Sequence, residues 1–358
     1  MLLSLSKIKP GVRELRPYSL SVDRATVKIN QNENPYDLPN TIKAEVIRRI
    51  SARTWSRYPE FVPSGLLKRL SEFSAWPAQG ILAGNGSNEL IQALLMVTLG
   101  EGKTVLICEP TFALYRQISV VLGAEVKSIP LNYQLQFDLP ELLEKVREAR
   151  PDVTIICSPN NPTGCVIEDE QLAKLLGESS GLVVIDEAYH EFAGHSAATL
   201  LNDFTNLVVL RTFSKAMALA GARVGYLMTA PELAREIAKA VLPYNINVFS
   251  QTAAEVALEM YDSELRPLIG NIVAERERLF AELQKISGLT PVASHANFMV
   301  VRSRINPKRV FEELLERDIL IRDVSSYPML QDYFRVTVGT PVENDLLIKA
   351  LREIFRSE

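Results

Sequence analysis

Four short runs, TVLIC (104–108), VTIIC (153–157), LVVID (182–186) and LVVLR (207–211), are apolar at consecutive positions rather than at every second one. A strand with one face in water alternates apolar and polar residues. Strands like these leave no face for water and must be covered on both sides. Helical stretches separate them at 111–122, 138–149 and 168–176, and EVKSIP (125–130) and RVGYLMT (223–229) read as further strands. The pattern predicts an α/β fold with a largely parallel sheet between helix layers. At 358 residues and 47% hydrophobic, the chain is long and apolar enough to bury such a core.

The flanks differ. Residues 1–30 form an arm with a short strand at TVKIN (26–30), NENPYDLPN (32–40) is dense in turn formers, and a helix follows at 41–52. SNELIQALLMVTL (87–99) has helical periodicity, with Ser87 or Asn88 as its N-terminal cap. Beyond residue 262 the order is a long charged helix (264–288), strand FMVVR (298–302), helix 307–317, strands ILIR (319–322) and FRVTVG (334–339), and a last helix (342–355). The expected organisation is an arm that is also part of a small domain (1–40), a large domain (41–262) and a small α+β domain (263–358). A net charge of −4 without a basic block argues against nucleic acid as a partner. The N-terminus lacks the apolar run of a signal peptide, and no stretch approaches the roughly 18 apolar residues of a membrane helix. Cys108, Cys157 and Cys165 show no metal-ligand spacing and no metal is expected; Cys108 and Cys157 end apolar runs as small hydrophobes. These features suggest a soluble protein of the reducing cytoplasm.

Ligands of open α/β sheets gather outside the carboxyl ends of strands. Four polar stretches fall at such positions: SPNNPTG (158–164) after VTIIC, Asp186 with EAY (187–189) after LVVI, TFSK (212–215) after LVVLR, and AGNGSNE (83–89), which opens a helix. Gly84 and Gly86 allow close backbone approach, and the N–H groups of Ser87 and Asn88 suit a phosphate, although that loop alone reads first as a turn plus cap. Asp186 closes an apolar strand and needs either a structural ion pair or a protonated ring nitrogen. Asn161 and Tyr189 place hydrogen-bonding groups at neighbouring strand ends, or else are a turn residue and a half-buried aromatic. Lys215 lies between LVVL and the glycines of AGARVG; in a dry pocket it becomes nucleophilic toward an aldehyde, in water it is an ordinary helix-start lysine. Arg223 matches phosphate geometry. Together these groups describe pyridoxal 5′-phosphate, which brings a phosphate, an aldehyde, a ring hydroxyl and a pyridine nitrogen in need of an acidic partner.

With RPY (16–18), NENPY (32–36), RYP (57–59), GNGSNE, EPTF (109–112), PNNPTG, DEAY, SK and RVTVGTPVEN (335–344), nearly the whole chain resembles the fold-type I pyridoxal-phosphate aminotransferases. Within them it is similar to the histidinol-phosphate aminotransferase group. The resemblance implies a mostly parallel seven-stranded sheet and a ping-pong transamination of an amine donor and a 2-oxo acid, histidinol phosphate and 2-oxoglutarate being the favoured pair in histidine biosynthesis. It makes Lys215 the Schiff-base and proton-shuttling residue, Asp186 the partner of the ring nitrogen, and Asn161 and Tyr189 contacts of the ring hydroxyl. Phe112 takes the ring-stacking position. Gly86, Ser87, Asn88, Ser214, Arg223 and Thr212 hold the phosphate. Arg335 and Arg322 bind substrate, with Tyr18 and Asn34 lining its pocket, and Tyr58 reaches the phosphate of a neighbouring subunit in a homodimer.

Two positions depart from the group's pattern: Asn88 stands where Asp is common, and Asp37 where a glycine is. Three other functions remain open on this scaffold: an aromatic amino acid aminotransferase, a threonine-phosphate-type decarboxylase, and a regulator that binds the cofactor without turnover. The third lacks any appended DNA-binding segment.

Overall fold

The computed structural model describes residues 3–17 and 23–356. Its central sheet has seven strands in the spatial order Ile81–Gly84, Gly225–Thr229, Leu207–Thr212, Leu182–Asp186, Val153–Cys157, Thr104–Glu109, Glu125–Pro130. All neighbours are parallel except Gly225–Thr229, which runs antiparallel to both of its partners. The apolar runs are buried on both faces, as expected. Val105, Ile107, Ile155 and Val184 pack with Leu90 and Leu94 on one side. Leu106, Ile156, Val183 and Ile185 pack with Leu142, Leu172 and Leu176 on the other. Each such side chain contributes roughly 1.5–3 kcal/mol by leaving water, so polar atoms are driven to the strand ends.

A second, antiparallel sheet runs Arg322–Asp323, Tyr333–Thr337, Phe298–Ser303, Leu289–Pro291. The run ILIR, expected as one strand, is split: Ile319–Leu320 pairs in parallel with Val27–Lys28, and Arg322 begins the four-stranded sheet. Ile321 between them is buried. One apolar run therefore serves two sheets and ties the N-terminal segment to the C-terminal strands.

Other expectations need correction. Helix Ser87–Thr98 begins at Ser87 itself, with Gly86 as N-cap and no side-chain cap, because the first N–H groups open toward a cavity. The strand expected from Arg223 starts at Gly225, since Arg223 has left-handed backbone (φ 55). The long helix is α-helical over Arg266–Gln284 after a π-turn at Tyr261–Leu265. Edge strand Ile81–Gly84 and helices Ser64–Ser74 and Val248–Glu259 were not anticipated. In Val248–Glu259 even Ser250, Gln251 and Thr252 are buried, so no amphipathic stripe marks it.

One ion pair lies deep in this scaffold. Arg211 Nε donates to Glu187 Oε2 at 2.9 Å, Arg211 Nη1 to Tyr226 Oη at 3.2 Å, and the Ala197 N–H to Glu187 Oε1 at 2.5 Å. Burial would push the Glu187 carboxyl up, but Arg211 and these donors hold it below the usual range. Removing one member leaves the other charged and buried. Glu187→Ala is therefore expected to lower unfolding stability by about 3–5 kcal/mol, read as a fall in the urea midpoint.

Candidate active site

Strand order reverses between Thr104–Glu109 and Val153–Cys157: the chain goes from the first outward to Glu125–Pro130, then returns to the other side. Such a switch point leaves a crevice at the carboxyl ends. A cavity of about 350 Å³ lies there, lined by Ser87, Asn88, Phe112, Asn161, Asp186, Tyr189, Thr212, Ser214, Lys215, Arg223, Arg322 and Arg335. Twelve widely spaced positions of the sequence thus meet in one place.

Asp186 closes its strand beside Cys157 and is buried. Its Oδ2 accepts from Tyr115 Oη at 2.6 Å and its Oδ1 from the Ala188 N–H at 3.1 Å. Burial raises the carboxyl's pKa; the Tyr115 hydrogen bond and then the Ala188 N–H oppose that rise, Glu187 adds to it, and Lys215 lowers it. Lys215 is half-buried and donates to the Gln31 carbonyl at 3.0 Å. Desolvation in the cleft, helped by Arg335, Arg223 and Lys28 and opposed by Glu33, lowers its pKa to about 8. A loosened proton on one wall and a buried carboxylate on another form an asymmetric pair with space between.

The helix at Ser87 presents its first N–H groups without intrahelical acceptors. Glycine is favoured at Gly86 because its φ of +77 is a backbone conformation that L side chains rarely adopt. Gly225 is required, since its Cβ would lie 2.3 Å from the Ser87 nitrogen. Arg223 Nη1 donates to Ser214 Oγ at 3.0 Å, and the Ser214 N–H donates to Thr212 Oγ1 at 3.1 Å. The result is a cup of N–H, hydroxyl and guanidinium donors suited to an oxyanion.

On the opposite side, Tyr189 Oη accepts from Asn32 Nδ2 (3.1 Å) and Asn161 Nδ2 (3.4 Å), and burial pushes its phenol pKa up. Arg335 Nη1 donates to Asn161 Oδ1 at 2.7 Å and Nη2 to the Asn30 carbonyl at 2.8 Å, with its guanidinium 5.2 Å from the Phe298 ring centroid. Arg322 is the direct cross-strand partner of Arg335.

Other expected residues lie apart. Asn34 donates to the Ala216 carbonyl at 3.0 Å and lines a neighbouring cavity. Tyr58 is 81% exposed and stacks on Tyr244, ring centroids 4.6 Å apart. Tyr18 falls outside the described residues. Sequence reasoning did not mark Tyr115, Asn30, Gln31, Asn32 or Tyr327 as site residues, yet all of them line the cavity. Nor did it mark Asn160, whose Nδ2 donates to the Pro110 carbonyl (2.9 Å) and Thr163 Oγ1 (2.8 Å) while its Oδ1 accepts from Thr111 Oγ1 (2.9 Å). That bond set ties the Phe112 loop to the Asn161 loop; the second asparagine of NNP was the visible signal, the first was not.

The donor set fits pyridoxal 5′-phosphate: an oxyanion cup kept open by Gly86, an amine of lowered pKa, and a buried carboxylate with no cation within ion-pair distance among the described residues. Fold and site together define a pyridoxal-phosphate-dependent transferase. The family model for aminotransferase class I and II matches residues 24–351, and the chain belongs to this family. It is 40% identical over 350 residues to histidinol-phosphate aminotransferase 1 of Carboxydothermus hydrogenoformans, covering 97% of this chain and 98% of that protein. It is 36% identical over 349 residues to histidinol-phosphate aminotransferase of Chlorobium phaeovibrioides, covering 97% and 96%. Among solved structures it is similar to histidinol-phosphate aminotransferase from Clostridium acetobutylicum, with a TM-score of 0.86, 27% identity, and 93% and 100% of the two chains covered. No helix among the described residues is long and apolar enough to cross a membrane.

The state of Lys215 is open to direct measurement. Reductive trapping of its amine by a small neutral aldehyde, mapped by mass spectrometry, should rise with pH through a midpoint of about 8. Arg335→Met, which removes a nearby positive charge, should move that midpoint up toward the ordinary lysine value of about 10.4.

Proposed function

We propose that this chain transfers the amino group of histidinol phosphate to 2-oxoglutarate, with Lys215, Asp186 and Tyr189 as catalytic residues. The observation that carries the substrate class is the Arg322–Arg335 pair. Two arginines at directly opposite positions on neighbouring strands, both lining the cavity, place like charges close together, and an anionic substrate group beside them relieves that repulsion. Histidinol phosphate and 2-oxoglutarate each bring such a group, so one pocket serves both halves of a ping-pong cycle. The names of full-length relatives at 36% and 40% identity support the same pair.

When bound, pyridoxal 5′-phosphate supplies an electron sink that lowers the cost of negative charge at the substrate Cα. Lys215 Nζ holds the cofactor before turnover and then takes the Cα proton, a task suited to its lowered pKa. Asp186 would face the ring nitrogen. Asn161 and Tyr189 would bond the ring hydroxyl, and Phe112 would pack against the ring. Gly86, Ser87, Asn88, Thr212, Ser214 and Arg223 would hold the phosphate by backbone N–H, hydroxyl and guanidinium donors. Asn88 in place of an aspartate keeps one negative charge away from that cup. Asn34 is assigned to the edge of the substrate pocket.

We further propose a cytoplasmic homodimer. Two exposed aromatic clusters support it: Tyr58 and Phe61 against Tyr244, with ring centroids 4.6 and 5.6 Å apart, and Trp55 against Phe249 at 5.1 Å. Exposed apolar patches of this kind mark protein contacts. In the dimer Tyr58 completes the partner's phosphate site.

Half-reactions test the donor. The cofactor's visible band should bleach with histidinol phosphate, far less with phenylalanine, and not at all in Lys215→Ala; bleaching by phenylalanine alone would assign an aromatic donor. Release of carbon dioxide without an oxo-acid acceptor would assign a decarboxylase. Sharing of the site is tested by mixing inactive Lys215→Ala and Tyr58→Ala subunits. Hybrids carry one intact site, so activity should return to at most about a quarter of wild type; no recovery in verified hybrid dimers would place Tyr58 outside the partner's site.

A further inference from the structure

Tyr115 has no role in the assignments above, yet it makes the shortest bond to the site's buried carboxylate. It is fully buried in helix Leu114–Leu122, and its Oη donates to Asp186 Oδ2 at 2.6 Å. Its ring stands edge-on to Phe112, centroids 5.5 Å apart at 85°. The phenol is thus fixed from the same short segment that carries the ring-stacking residue. We propose that Tyr115 is a positioning residue that keeps Asp186 ionised and thereby keeps the proton on the cofactor's ring nitrogen.

The proposal rests on the cofactor reading of the cavity and deepens it. A carboxylate facing a protonated nitrogen shares one proton between two sites: N–H with O⁻, or N with O–H. Burial raises carboxylate basicity and favours the second arrangement. A donor to the carboxylate stabilises its charged form and restores the first. Asp186 has two such donors, the Ala188 N–H on Oδ1 and Tyr115 on Oδ2, and only the second is a side chain. The other titratable groups acting on Asp186 leave that burden on Tyr115. Glu187 disfavours the charge, although Arg211 neutralises much of its field, and Lys215 favours it from across the cavity. Tyr189 and Cys157 are buried neutral groups with raised pKa values. Tyr115 is held neutral as well, so it remains a donor over the working pH range.

The test uses holoenzyme reconstituted with cofactor labelled at the ring nitrogen, whose NMR shift reports the proton directly. In Tyr115→Phe the ratio of the N–H/O⁻ to the N/O–H arrangement should fall roughly ten- to hundredfold, read at fixed pH as a move of the nitrogen shift toward the unprotonated value. Replacing Tyr115 by a fluorinated tyrosine, a stronger donor of nearly the same shape, should keep the shift at the protonated value. A structural role alone predicts no such dependence on donor strength. An unchanged nitrogen shift in folded, cofactor-bound Tyr115→Phe, or a move toward the unprotonated value in the fluorinated variant, overturns the proposal. Failure of the wild-type protein to bind the cofactor would instead overturn the reading of the cavity, so the two failures are distinguishable.

Discussion

Burial of the central sheet on both faces is the constraint from which the rest follows. Its inner strands have no solvated side, so charge is admissible only where a strand ends or where a partner waits. Asp186 and Arg211 illustrate the two solutions. Arg211 meets Glu187 at 2.9 Å inside the scaffold and is neutralised there. Asp186 meets only a phenol and a backbone N–H, and faces the cavity. The two acids are adjacent in sequence, yet one is structural and the other is left in want of a cation.

Much of this was readable from residues alone. The four apolar runs became neighbouring inner strands because nothing except mutual burial suits them. The motifs at their ends met because parallel strands bring their carboxyl ends to one edge. What was hidden depends on distance in sequence or on the lack of a pattern. Tyr115 looked like any apolar helix residue, since only the fold brings it to a carboxylate seventy-one positions away. Asn30 closed a run that read as a short strand, and Asn32 began a stretch whose turn-forming composition explained itself. Ser87 resembled a cap, but the structure puts Gly86 at that position with no side-chain cap bond, and Ser87 and Asn88 line the cavity instead. Helix Val248–Glu259 was silent because 250–254 and 256–258 are buried on every face, polar residues included.

The electrostatics of the cavity are graded rather than symmetric. The phosphate cup and the two arginines crowd positive charge around Lys215, which loosens its proton and readies the pocket for anions at both ends. Only Asp186 supplies buried negative charge at the far wall. A planar ligand with a phosphate at one end and a basic nitrogen at the other can enter this field in one orientation only.

The division of one apolar run between two sheets reaches further than topology. Val27–Lys28 is hydrogen-bonded to Ile319–Leu320, next in the chain to Arg322. A few residues on, the same N-terminal segment lends Asn30 O to Arg335, Gln31 O to Lys215 and Asn32 Nδ2 to Tyr189. Arg322, Arg335 and the strap across Lys215 are thus tied into one unit. A swing of the C-terminal sheet away from the large sheet would carry that strap with it, so that widening the cavity and releasing the Lys215 hydrogen bond would be a single motion.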